Sequence, residues 1–227
     1  PPTAPAVALT PKPAHAPPVP PEREAEAAPA LAPNERDFGL ELDLALNARL
    51  GEQGSYSEDR GYGALYGVGA WLRAASSVEL GLELTRTELG QVANERSPNL
   101  LWAEYGVTSL WFGGRVEPWR SNDLGLFVAL RVGYGLQDVS ARGVLQEPGS
   151  LAPAGSFSCS ETGGGGIAFG GGAGAALFLG PHVQLVGRLD ATAHRLTSDR
   201  LGSCAPGIGS VTSLGVGLGL AYGFETS

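Results

Sequence analysis

The chain has no methionine, one lysine and two cysteines among 227 residues, and each scarcity narrows what it can be. No run of 18 or more apolar residues occurs, so a membrane-spanning helix is excluded. A strand crossing needs no such run, because only alternate residues face lipid. The lysine is Lys12, near the start, which leaves arginine as the strong cation of everything after it. With a formal charge of −8 there is no basic patch for a nucleic-acid partner. The absence of methionine suggests a mature chain that has lost its initiator and any export signal. No charged-then-apolar signal stands at Pro1, so export is an expectation from the fold. Without a CxxC, and with three scattered histidines, no metal site is expected, and no motif asks for a cofactor. The runs Gly163–Gly166 and Gly170–Gly172 lack the Lys-Ser/Thr ending and following helix of a phosphate loop. They suit strand bending and close approach instead.

Glycine is abundant: 35 residues, about twice average usage. Residues 1–36 are Pro/Ala-rich, which favours extended polyproline II or disorder. At about 3.1 Å per residue such an arm reaches on the order of 100 Å. It reads as an inert spacer or as a tether to a periplasmic protein or to the cell wall. Residues 37–227 read as one β domain.

Within that domain Phe38, Leu40, Leu42, Leu44 and Leu46 share one face of an extended strand, and Glu41, Asp43 and Asn47 share the other. Seven further segments repeat the pattern. The second, Gly61 to Arg73, aligns Tyr62, Ala64, Tyr66, Val68, Ala70 and Leu72. The third, Val78 to Thr87, sets Val78, Leu80, Leu82 and Leu84 against Glu79, Gly81 and Glu83. The fourth, Leu101 to Gly113, sets Ala103, Tyr105, Val107 and Trp111 against Glu104, Gly106 and Thr108. The fifth, from Leu124, alternates Leu126, Val128, Leu130, Val132 and Tyr134 with Phe127, Ala129 and Arg131. The sixth spans Gly166 to Leu179. The seventh, Val183 to His194, opposes Leu185 and Leu189 to Arg188 and Asp190. The eighth, Val211 to Phe224, opposes Leu214, Val216, Leu218 and Leu220 to a nearly all-glycine face.

The connections alternate long and short: 51–60, 74–77, 88–100, 114–123, 136–165, 180–182 and 195–210. Transmembrane barrels have short periplasmic turns and long extracellular loops, so both termini are expected on the periplasmic side. Cys159 and Cys204 then fall in the third and fourth long loops. In an oxidising compartment they are expected to pair, with two free thiols as the alternative.

Alternation alone also fits a soluble lipocalin-like barrel with its apolar face inward. Three features favour lipid. The segments run 10 to 14 residues, as a tilted crossing requires. The polar faces carry glycine and isolated charges with no lysine. Aromatics gather near strand ends: Trp71, Trp111, Phe178, Tyr222 and Phe224 at one end, Tyr62, Tyr66, Trp102 and Tyr134 at the other. On strand number, strand length, loop alternation and the closing GLGLAYGF strand, residues 37–227 resemble the OmpA/OmpX-like group of small eight-stranded outer-membrane β-barrels. The resemblance implies an all-β, antiparallel up-and-down transmembrane barrel in a Gram-negative outer membrane, surrounded by lipid and lipopolysaccharide. Those barrels usually end on an aromatic; here Phe224 is followed by Glu225-Thr226-Ser227.

An eight-stranded barrel is just wide enough for its side chains to fill. Its inward positions are expected to include Glu41, Asp43, Glu79, Glu83, Glu104 and Asp190, with Arg49, Arg73, Arg131 and Arg188. Buried charges must pair, so these read as a plug with Arg131 and Arg188 as hubs. The alternative is a narrow cation-leaning path along the glycine face of the eighth strand. No catalytic residue is assigned. A lipid A-modifying site, with His194 beside Ser198 and Asp199, is the weakest reading. The expected role is non-enzymatic: a structural anchor or interaction protein.

Overall fold

The computed structural model describes residues 37–50, 57–58, 61–93, 100–146, 153–202 and 204–224. The described residues all belong to one compact unit. The arm expected over 1–36 lies outside the described residues.

Eight antiparallel strands close on themselves. They are β1 (Phe38–Leu50), β2 (Tyr62–Ala75), β3 (Val78–Ala93), β4 (Leu100–Arg120), β5 (Leu124–Gln146), β6 (Pro153–Phe178), β7 (Val183–Arg195) and β8 (Ser210–Phe224). Each pairs with its sequence neighbours. The ring closes where β1 meets β8, from Phe38 opposite Phe224 to Leu50 opposite Thr212. Two short additions sit at the long-loop end: Ser57–Glu58 pairs with β3, and Arg200–Leu201 pairs with Ala205–Pro206.

Several strands outrun their expected limits. β3 continues past Thr87, β4 and β5 lengthen at both ends or one, and β6 begins at Pro153 inside the expected 136–165 loop. Cys159 therefore lies in a strand. The expected 114–123 connection shrinks to Ser121-Asn122-Asp123, closed by the Ser121 amide donating to the Leu124 carbonyl at 2.8 Å. Pro118, which has no ladder donor, sits where the β4–β5 register shifts between Val116 and Trp119.

The apolar faces point outward. Leu40, Leu42, Leu44 and Leu46 on β1 are all exposed, Leu46 by 71 %, and Leu130 on β5 matches it. Exposed leucines, valines and aromatics continue around every strand, while the inward face of β1 buries Glu41, Asp43 and Asn47. This is the reverse of a soluble barrel, so the lipocalin-like alternative is set aside. On β5 the outward apolar series runs from Leu126 to Leu136. At about 3.3 Å per residue and a tilt near 40°, it is roughly 25 Å tall, the height of a transmembrane apolar band.

Above that band the pattern inverts. On β3 the outward side changes from Leu80, Leu82 and Leu84 to Arg86 and Glu88, and on β5 from Leu136 to Asp138 and Ser140. The inward side becomes apolar at the same level, with Leu89, Tyr105, Val107, Val139, Ala141 and Val211 in one buried cluster. Period two persists, but its inside and outside exchange, as they must when the outer surface passes from hydrocarbon to water.

That inversion corrects the reading of β4. Ala103, Tyr105, Val107 and Trp111 face inward, and Glu104 is exposed on the outer surface, not in the lumen. The outward lipid-facing residues of β4 are Leu110, Phe112 and Val116. Two aromatics expected in a girdle also move inside: Trp71 and Trp111 are buried in the lumen, whereas Trp119 stands exposed at the short-turn end.

Candidate functional site: the filled lumen

The lumen is packed in layers. In the lower layer Arg115, on β4, donates to both oxygens of Glu41 on β1, at 2.6 and 2.8 Å. Arg131 on β5 donates to Glu83 at 2.7 Å and lies 3.2 Å from Asp190. Arg188 on β7 reaches Asp190 at 2.9 Å, Glu83 at 3.0 Å, Asp43 at 3.3 Å and Glu41 at 3.8 Å. Five strands thus meet in one network. Aromatic rings cover two of its guanidiniums: Arg115 lies 3.7 Å over Trp71, and Arg131 lies 4.9 Å from the Trp111 ring centre. Such pairing and stacking offset the cost of taking charge out of water.

The structure brings together Glu41, Asp43, Glu83, Arg131, Arg188 and Asp190. Glu79 stands apart at the short-turn end, 3.6 Å from Arg73. Glu104 is outside, as described. Arg115 lies beyond the expected end of the fourth strand at Gly113, and so outside the expected inward set. Its signal was the parity carried on from Trp111 through Gly113.

The glycine face of β8 is not open space. Asp43, Ala45 and Asn47 of β1 lean across Gly219, Gly217 and Gly215; a Cβ on Gly219 would stand 2.6 Å from Asp43 Oδ1. Arg131 lies likewise over Gly170, and Asp190 over Gly172. The inward glycines are the seats of neighbouring long side chains. At the short-turn end, two chambers of about 30 Å³ each share Arg73, Glu79, Arg115 and Gln184 in their walls. Each has room for a water or two, not for a conduit.

The middle layer is made of small polar groups. Trp111 Nε1 donates to Thr85 Oγ1 at 2.9 Å, Thr192 and Ser213 share a 2.8 Å hydrogen bond, and Ser109 Oγ lies 3.0 Å from His194 Nε2. His194 is 2 % exposed and faces the lumen. Its Ser198 and Asp199 neighbours in sequence are exposed at the mouth, where Asp199 accepts from the Thr197 hydroxyl at 3.0 Å. The three do not form a triad.

The upper layer is the apolar cluster. Residues 196–202 and 204–209 fold back over it and are joined to β6 by a Cys159–Cys204 disulfide spanning 45 residues. Among the described residues no group of three or more His, Cys, Asp or Glu side chains is arranged to hold a metal ion.

No protein-family model and no curated protein matches the sequence. Solved structures do. Neisserial surface protein A aligns with 83 % of this chain and 97 % of its own, at 15 % identity and a TM-score of 0.51. OprG from Pseudomonas aeruginosa aligns with 84 % and 97 %, at 13 % identity and 0.49. Ail of Yersinia pestis aligns with 84 % and 99 %, at 16 % identity and 0.45. A closed ring of eight strands, an apolar exterior and a charged interior give this chain the fold of the small eight-stranded outer-membrane β-barrels, the OmpA/OmpX-like group.

Proposed function

We propose that the protein is a non-enzymatic outer-membrane barrel that anchors interaction surfaces on both sides of a Gram-negative outer membrane. The filled lumen carries this reading. An ion-pair layer, a hydroxyl layer and a capped apolar layer succeed one another along the axis, so the barrel's work lies at its ends. The tight turns at 76–77 and 121–123 support a periplasmic side at that end, with both termini on it and the long connections outside. Residues 1–36 then form a periplasmic tether to a protein or to peptidoglycan. Lipid and lipopolysaccharide surround the apolar band. The burial of His194 against Ser109, away from Ser198 and Asp199, supports a role without catalysis.

In planar bilayers the folded full chain is expected to give no unit conductance. Steady single-channel steps would overturn the plug and favour the second reading, a cation-leaning pore. Four carboxylates against three guanidiniums in the lower layer are the observation behind that reading, and Glu83→Gln would then lower the conductance. Deleting residues 1–35 is expected to leave folding intact and abolish capture of peptidoglycan or periplasmic protein. Undiminished capture would remove the tether.

A further inference from the structure

Residues 196–202 and 204–209 close the mouth of the barrel, and their polar contacts with its wall converge. Gln137 on β5 is fully buried. Its Nε2 donates to the carbonyls of Gly164 and Thr197, both at 2.9 Å, and its Oε1 accepts from the Ile208 amide at 2.9 Å. The Tyr105 hydroxyl donates to the Pro206 carbonyl at 2.9 Å. Gly202 and Gly209 turn the segment at φ +53° and +76°, the left-handed region that glycine enters without strain. Leu196, Leu201 and Ala205 are buried, and Ile208 packs beside them, against walls made by Leu89, Tyr105, Val107, Val139 and Val211.

Those walls belong to β3, β4, β5 and β8, which the closed ladder holds whether or not the segment is present. The segment is a hairpin bonded to itself: beyond the pairing of Arg200–Leu201 with Ala205–Pro206, the Gly207 amide donates to the Asp199 carbonyl at 2.8 Å and the Gly209 amide to the Thr197 carbonyl at 3.2 Å. Lifting it would leave an apolar cup above the membrane with its floor at His194. Its covalent hold is Cys159–Cys204, the chain's two cysteines, both half-buried at the edge of the cluster. Cys159 lies opposite inward-facing Ala141, so its side chain points under the cap.

We propose that Cys159–Cys204 is the releasable latch of this cap, and that its reduction by an external thiol opens an apolar cup at the barrel mouth. Two thiol molecules supply the hydrogens and electrons. The Cys159–Cys204 bond breaks, each cysteine becomes a thiol, and the two reductant sulfurs join as a disulfide. Reduction returns chain entropy to the lifted segment, and for one as long as 196–209 this favours opening by at most on the order of a hundredfold. The opening itself does not depend on which side of the membrane the mouth faces; only the source of the reductant does.

The test uses the full chain folded in detergent. Cys204→Ser leaves Cys159 as the lone thiol beneath the cap, probed with a polymer-tagged maleimide too bulky to pass under a seated segment. The reference is Ser158→Cys, an outward neighbour, in a background lacking both native cysteines. Labelling of Cys159 within about tenfold of that reference is expected. Labelling slower by about a hundredfold or more would mean that Gln137 and Tyr105 hold the cap alone, and would overturn the latch. Should Cys204→Ser fail to fold, wild-type protein reduced after folding gives the same comparison by peptide mapping at Cys159. Loss of the folded, heat-sensitive gel band on reduction would also overturn the proposal, since the disulfide would then support the whole barrel.

Discussion

Arg188 shows how the interior depends on single side chains. It lies within 4 Å of four carboxylates on β1, β3 and β7. Replacing it with methionine keeps most of the volume but leaves Asp43 with none of the ion pairs described above, and Glu83 and Asp190 with Arg131 alone. Breaking a buried network in this way costs about 3–5 kcal/mol. Arg73→Met removes a longer, partly wet pair with Glu79 and is expected to cost about 1 kcal/mol or less. Urea midpoints of the detergent-folded proteins separate the two, and equal midpoints would deny Arg188 its central place. At this scale the sequence was informative where parity could be counted. Glu41 and Asp43 alternate with leucines, and Arg188 and Asp190 alternate with Leu185 and Leu189, so an inward face could be named before any contact was known. Trp71 shares the parity of Arg73 and could have been placed inside on the same count. Its aromatic character drew it to the girdle instead.

At the scale of the strand, β5 contains the whole argument about membrane depth. Its outward residues are Leu126, Val128, Leu130, Val132, Tyr134 and Leu136, then Asp138 and Ser140. Arg86 crosses the outer surface of Gly106 to pair with Asp138, so a forked ion pair lies on the outside of the barrel where the hydrocarbon ends. An arginine at Val132, near mid-depth, is expected to cost about 2–4 kcal/mol, and one at Ser140 close to nothing. Both positions lie on one strand and one face, so a reversed or flat result in folding titrations into lipid vesicles would move the boundary. The number of strands and their order could be read from the sequence because each segment alternates. Strand ends could not, because an apolar outer face marks only the lipid-facing part of each strand, and that face becomes polar while the ladder continues. β4 suffered most: Ala103, Tyr105 and Val107 are the apolar residues of a watery segment, and in a lipid segment the same pattern would have put Glu104 inside.

For the molecule as a whole, the four tryptophans report which way the barrel is turned. Trp71 and Trp111 are buried among the lumen guanidiniums, and Trp102 is half-buried beside Arg142 above the apolar band. Trp119 stands 49 % exposed at the short-turn end of β4, where the outer surface meets the edge of the bilayer. A ring at that level has its apolar body in the interface and its N–H free to bond. In vesicles containing lipids brominated along their chains, contact quenching should therefore arise mainly from Trp119. Trp119→Phe is expected to remove most of it, while Trp71→Phe and Trp111→Phe leave it nearly unchanged. A barrel with its apolar faces turned inward would give little quenching from any of the four. A barrel whose lumen admitted lipid would lose quenching with Trp111→Phe. The pattern across single variants therefore tests together that lipid meets the outward faces, that the interior is filled, and that the short turns lie at one edge of the bilayer.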